Sequence, residues 1–364
     1  MLTSVEEAFV PLRPAVSALP SYVPGARAGS SAPAWKLSSN ENPYAPLPSV
    51  QAAITRAAAE VNRYPDIYAD ELVGRLAAHS GVAAENVVVG NGSVALLSHI
   101  LNAVVDHGDE IVFPWRSFEA YPIAAAVSGG TTVTVPLEEG TGRLDLPAMA
   151  AAITPRTRVV LVCTPNNPTG PAVHVGELET FLAAVPKNVL VVLDEAYLEF
   201  VRDPEAPNGI DIYTRYSNVL LLRTLSKAHG LAGLRIGYAI AEPRLTAGIR
   251  SVSTPFGVSL VAQAAALATL EPEAQSQLKE RVEALVGERT RVVEGLRDQG
   301  WVLPETHANF VWFDLGEATM ERAAEAKDAG VLVRPFAGHG IRVSIGDPDA
   351  NDAFLAVASA WRQR

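Results

Sequence analysis

The chain has 364 residues, 48% of them apolar, and a formal net charge of −11. That length and apolar share suffice for a large core and favour two domains over one, while an acidic balance without a basic stripe argues against a nucleic-acid partner. The single cysteine, Cys163, excludes an intrachain disulfide and fits a reducing cytoplasm, and no apolar run is long enough to suggest a membrane span.

The opening stretch, roughly 11–33, is rich in Pro, Gly and Ser, and Glu6 and Glu7 break the basic-then-apolar order of a signal peptide. Residues 1–35 are expected to form an N-terminal arm packed on the smaller domain that ends the chain or on a partner subunit. Apolar runs then alternate with helix-like stretches, at 86–89, 110–113, 131–135, 158–162, 189–194, 218–222 and 236–241. The alternation predicts an α/β fold: a mostly parallel seven-stranded sheet sandwiched by helices, with ligands bound at the carboxyl ends of its strands. After Pro243 the pattern changes to helical segments at 260–269 and 273–298, followed by short strands at 309–313, 331–334 and 341–344. Residues 36–245 are thus expected as a large domain and 246–364 as a smaller α+β domain. No repeat, heptad or zinc-ligand spacing is present, and no metal is expected.

The motifs fall at the ends of the expected strands. Gly90-Asn91-Gly92-Ser93 precedes a helix expected over 94–105, and backbone N–H groups at such a helix start form a cradle for phosphate. Cys163-Thr164-Pro165-Asn166-Asn167-Pro168-Thr169-Gly170 ends a strand sharply and aims the Asn167 amide into the crevice, although Asn-Pro-Thr-Gly alone is also an ordinary turn. The run 189–194 closes on Asp194, with Tyr197 three residues on; an acid at that place is a metal ligand, a helix cap or a partner for a ring nitrogen.

The run from Leu222 to Tyr238 is the most informative, because it sets Lys227 among small residues, the Ser226 hydroxyl and Arg235 directly after an apolar strand. A lysine that condenses with an aldehyde requires a rigid strand end, partial desolvation and cationic neighbours that keep it neutral. Ser226 and Arg235 suit a phosphate, the arginine through its fork of donors. These features read as a pyridoxal 5'-phosphate anchor at Lys227. In that reading Asp194 keeps the pyridine nitrogen protonated, and Asn167 and Tyr197 share the phenolate oxygen.

The order Gly-Asn-Gly-Ser, Asn-Asn-Pro-Thr-Gly, Asp-Glu-Ala-Tyr, Ser-Lys, Arg-Ile-Gly resembles the fold-type I pyridoxal phosphate aminotransferases. Ser39-Asn40-Glu41-Asn42-Pro43-Tyr44, Asn62-Arg63-Tyr64-Pro65-Asp66 and Ile341-Arg342-Val343-Ser344-Ile345-Gly346 make the chain similar to the histidinol-phosphate aminotransferase family over nearly its whole length. Tyr22-Val23-Pro24-Gly25, the segment from Trp115 to Pro122 and Ala308-Asn309-Phe310-Val311-Trp312 look more like its actinobacterial aromatic-amino-acid branch.

The resemblance implies that Lys227 is the catalytic lysine, that Arg342 clamps the substrate carboxylate and that Arg334 adds a second cation. It also implies that Gly92 and Ser93 hold the phosphate, that Trp115 stacks on the pyridine ring and that Tyr22 and Asn40 line the substrate pocket. Tyr64 would reach across a homodimer interface to the other subunit's cofactor phosphate. Without the resemblance, Arg342 reads equally as a surface arginine, Tyr64 as a packed core tyrosine and Trp115 as core filler. His229 stands where an aromatic residue is expected and receives no role.

The implied activity is ping-pong transfer of an amino group between an aromatic amino acid and a 2-oxo acid such as 2-oxoglutarate, in the cytoplasm. The alternatives are histidinol-phosphate transamination, with Arg334 and Arg342 gripping a phosphate, and a pyridoxal phosphate decarboxylase or lyase. A non-enzymatic module of the kind carried by some regulators is least expected, because no DNA-binding segment is recognisable.

Overall fold

The structure is a computed structural model that describes residues 10–19 and 35–362. Its main sheet has seven strands: β1 (Val87–Gly90), β2 (Glu110–Trp115), β3 (Thr131–Pro136), β4 (Thr157–Cys163), β5 (Leu190–Asp194), β6 (Val219–Thr224) and β7 (Gly237–Ile240). They lie in the order β1-β7-β6-β5-β4-β2-β3. Only β7 runs against its neighbours, β1 and β6; every other pairing is parallel.

The central strands are buried on both faces, which is why they read as unbroken runs of Val and Leu. Alternate residues serve opposite cores. Val160, Val162, Val191, Leu193 and Leu221 pack with Leu178 and Phe181 of the helix Val175–Ala184. Val159, Leu161, Val192, Leu220 and Leu222 pack with Leu96, Leu97 and Ile100 of the helix Ser93–Val104 on the other side. The edge strand β3 is exposed at both Thr131 and Thr132 and buries only Val135.

A second sheet follows, with β8 (Phe310–Asp314), β9 (Arg334–Phe336) and β10 (Gly340–Ser344) antiparallel in the order β9-β10-β8. Phe310 and Phe313 pack there with Leu285 and Val292 of the helix Pro272–Asp298 and with Phe354 and Trp361 of the helix Pro348–Arg362. The strand expected over 331–334 is divided: Val331–Leu332 pairs in parallel with Trp35–Lys36, and the chain changes partner at Val333 before entering β9. That parallel pair ties the segment entering Ser38-Ser39-Asn40 to the smaller sheet.

Candidate active site

A cavity of about 270 Å³ opens where the carboxyl ends of β4, β5 and β6 meet the smaller sheet. Of the residues singled out in the sequence it brings together Ser93, Asn167, Asp194, Tyr197, Ser226, Lys227, Arg235, Arg334 and Arg342.

Lys227 sits in the turn after β6, where the Ser226 backbone N–H donates to Thr224 Oγ1 at 3.1 Å and Gly230 N–H closes on the Lys227 carbonyl at 3.1 Å. Its Nζ donates to the Ser39 carbonyl at 3.3 Å and lies 5.8 Å from the Tyr197 ring centre. Burial, reinforced by the Arg342 and Arg235 guanidinium groups against the opposing pull of Glu41 and Asp194, brings its pKa down to about 7. The amine is therefore available uncharged near neutral pH.

Asp194 ends β5 with Oδ2 accepting from the Tyr121 hydroxyl at 2.7 Å. Burial pushes its pKa up to about 6. Oδ1 is buried and has no hydrogen-bond partner. Leaving such an acceptor unmet is costly, and a cationic ring N–H is the kind of group that satisfies it.

At the other end of the cavity Gly92 has φ +83°, and a Cβ there would come 2.5 Å from Arg235 Nη2. Only glycine permits both the conformation and that approach. The Arg235 Nη1 donates to the Ala232 carbonyl at 3.0 Å and to Ser226 Oγ at 3.5 Å. The helix starting at Ser93 thus opens beside an arginine and a hydroxyl, an arrangement suited to a phosphate.

Between the two ends, Arg342 donates from Nη1 to Asn167 Oδ1 and from Nη2 to the Ser38 carbonyl at 3.1 Å. Asn40, held by Ser344 Oγ at 2.9 Å, donates through Nδ2 to the Tyr197 hydroxyl at 2.9 Å. It stands behind Tyr197 and is not among the cavity-lining residues. Burial raises the Tyr197 phenol well above its ordinary range. Arg334 donates to Glu119 Oε2 at 2.5 Å.

Trp115 and Tyr64 are not part of this chain's cavity lining. Trp115 does not line the cavity; its ring packs edge-on to Phe113 at 6.3 Å and carries the Arg116 guanidinium at 4.6 Å. Phe118, three residues further along the same motif, faces the cavity instead. Tyr64 is 81% exposed and stacks on Phe256 at 4.6 Å, away from this chain's cavity. Tyr22 lies outside the described residues.

Ser39, Glu41, Glu119 and Phe336, to which the sequence assigns no individual role, also line the cavity. His229 contacts Thr269 Oγ1 at 3.3 Å and Glu199 at 3.6 Å and does not reach the cavity. Cys163 lines it, but burial raises the thiol to about 12. Among the described residues, His174, Asp203 and Glu205 alone are close enough to share a cation, and Arg143 Nη1 already stands 3.5 Å from His174 Nε2.

The model for the class I and II aminotransferases matches residues 33–357, and the chain belongs to that family. The aromatic amino acid aminotransferase of Streptomyces avermitilis is 53% identical over 353 residues, 97% of this chain and 98% of that one. Its counterpart in Thermobifida fusca is 52% identical over 354 residues, with 97% and 98% covered. The histidinol-phosphate aminotransferase of Sinorhizobium meliloti, solved in complex with pyridoxal-5'-phosphate, matches with a TM-score of 0.87 at 30% identity, over 98% of this chain and 99% of that one. The fold is that of the fold-type I aminotransferases.

Proposed function

We propose that this chain binds pyridoxal 5'-phosphate and transfers an amino group between an aromatic amino acid and a 2-oxo acid such as 2-oxoglutarate. The observation that carries the reading is one cavity holding both a buried lysine with a pKa near 7 and a buried carboxylate with an open oxygen. The aromatic preference is supported by the names of relatives at 53% and 52% identity and by the Phe118 and Phe336 rings in the cavity wall.

Asp194, Tyr197 and Asn167 would hold the cofactor ring, and Ser93, Ser226 and Arg235 its phosphate, with Gly92 giving Arg235 room. When bound, the cofactor supplies an aldehyde carbon for Lys227 and a cationic ring that takes up charge developing at the substrate's Cα. The protein's part is to position and to move protons. Arg342 fixes the substrate carboxylate and so orients the Cα–H bond. Lys227, neutral near pH 7, would take the proton from the substrate's Cα and deliver it to the carbon that carries the cofactor's aldehyde. Asp194 stays ionised against the ring nitrogen throughout.

The working unit proposed is a homodimer with shared sites, supported by the exposed ring of Tyr64 beside Phe256 and by the partly exposed Ile67 and Tyr68. Within each subunit, residues 36–245 form the cofactor domain and 246–364 the smaller one. A cytoplasmic setting fits the lone buried thiol.

Purified holoenzyme given phenylalanine or histidinol phosphate with 2-oxoglutarate tests the reading. Phenylpyruvate formed beyond one equivalent per site only when the acceptor is present is the expected result. Faster consumption of histidinol phosphate would move the assignment to that substrate, and carbon dioxide released without need of an acceptor would make the chain a lyase.

A further inference from the structure

The β9-β10 ladder sets Arg334 directly opposite Arg342. Both residues are buried, at 5% and 8% exposure. Like charges facing each other across a sheet are destabilising, and a buried guanidinium without an anion is more so. For Arg334 the anion is Glu119, whose Oε2 lies 2.5 Å from Nη2. The pair forms part of the cavity wall, and it joins a residue of the smaller sheet to the residue that precedes the helix Ala120–Ser128.

The two partners differ in freedom. The Arg334 side chain is 6% exposed and that of Glu119 is 29% exposed, so the acid is the member with room to move. Phe336 carries both arginines against its ring, Arg334 at 5.3 Å and Arg342 at 5.8 Å. Phe336 thus touches both the arginine assigned to the substrate carboxylate and the arginine of the Arg334–Glu119 pair.

We propose that a substrate held by Arg342 extends along Phe336 toward this pair, and that Glu119 weights the cavity toward uncharged side chains by occupying Arg334 against ligands whose far end is anionic. This deepens the aminotransferase reading given above and rests on it. An uncharged aromatic side chain lies along Phe118 and Phe336 and leaves the ion pair closed. A side chain ending in a second carboxylate or a phosphate has to displace Glu119 from Arg334 and works against its charge; the acceptor 2-oxoglutarate meets the same cost, so Glu119 weakens its binding without closing the cavity to it. Glu119 thus acts through Arg334, as a selectivity residue that takes no part in proton transfer.

Calorimetric titration of the holoenzyme with two unreactive acids, 3-phenylpropionate and glutarate, separates the cases. Both offer one carboxylate to Arg342, and they differ only at the far end. Charge-assisted hydrogen bonds are strong enough that Glu119→Gln is expected to raise the ratio of glutarate to phenylpropionate affinity by about tenfold. Glu119→Ser, which removes the charge while keeping a residue suited to a helix start, is expected to shift the ratio in the same direction. The rise disappears when Arg334→Gln is added.

An unchanged ratio in both single variants overturns the proposal. So does a rise that survives the loss of Arg334, and so does an equal weakening of both acids, which is what a purely structural Glu119 would produce. Phenylalanine transamination by the unaltered enzyme is scored separately: its failure would reject the aromatic reading, while the affinity ratio still reports on Glu119.

Discussion

Asp194 and Glu195 are adjacent carboxylates at the end of β5, 5% and 3% exposed, yet their surroundings are opposite in kind. Glu195 turns toward the side of Tyr238 and is closed by Arg223, whose Nε donates to Oε2 at 2.8 Å. Asp194 turns toward Tyr121, whose hydroxyl donates to Oδ2, and Oδ1 faces no hydrogen-bond partner. A buried charge with its partners in place belongs to the scaffold. One left incomplete beside a cavity is a seat for a ligand's charge, held ready at the expense of stability.

The largest expected effect comes from removing the amine that faces this seat. Lys227→Ala should lower turnover by about four decades, the upper range for losing a positioned proton-transfer group, and borohydride should no longer fix the cofactor to the chain. Near-normal turnover, or a label recovered on another lysine, would end the comparison by moving the chemistry elsewhere.

Asp194→Asn sharpens the comparison because its two effects have opposite signs. Loss of a buried charge partner worth ~3–5 kcal/mol should lower the rate by roughly two to four decades. Stability of the cofactor-free protein should rise. The folded-state pKa is raised from 3.8 to about 6, so the folded protein binds the proton more tightly than the unfolded chain. Its stability therefore falls as pH climbs through that interval and stays lowered above it. The asparagine variant is relieved of that cost, up to about 3 kcal/mol at neutral pH, measurable as a higher denaturation midpoint. Loss of both stability and rate would show that Asp194 is an ordinary structural acid.

Glu195→Gln should give the inverse pattern. Breaking a buried ion pair from one side costs about 3–5 kcal/mol, seen as a lower midpoint, while the fraction that remains folded should keep its absorbance and its turnover per bound cofactor. A change of cofactor spectrum at full folding would place Glu195 within the site.

Much of this contrast is legible before any coordinates. Lys227, Asp194, Asn167 and Arg342 stand in or just beyond short apolar runs, and Arg235 just before one, where period and punctuation mark the strand and its turn. The choice between Trp115 and Phe118 is not legible, because β2 ends at Trp115 and the loop that follows has no repeating period to say which ring faces inward. Glu119 and Arg334 are 215 residues apart, and nothing local to either announces the pair. The Ser38 and Ser39 carbonyls that receive Arg342 and Lys227 are backbone groups, identical in every residue type. Tyr64 reads as part of a motif, and nothing in that motif announces that its ring stands exposed beside Phe256.

The smallest expected effect tests whether Glu195 is as tightly enclosed as its bonding implies. Gly209 begins the helix Gly209–Arg215, and a Cβ built there would stand 2.1 Å from Glu195 Oε1. Its φ is not in the left-handed region, so an alanine meets no backbone penalty and would by itself favour the helix. The obstruction is therefore the carboxylate, which cannot retreat without loosening its bond to Arg223. Gly209→Ala is expected to lower stability by about 1–3 kcal/mol, the usual range for overpacking a filled site. The sign should reverse when Glu195→Ala has already emptied the space, leaving only the gain in helix propensity. Urea denaturation of the four members of that cycle measures the coupling. An equal loss in both backgrounds would trace the effect to the helix start and leave the enclosure of Glu195 unsupported.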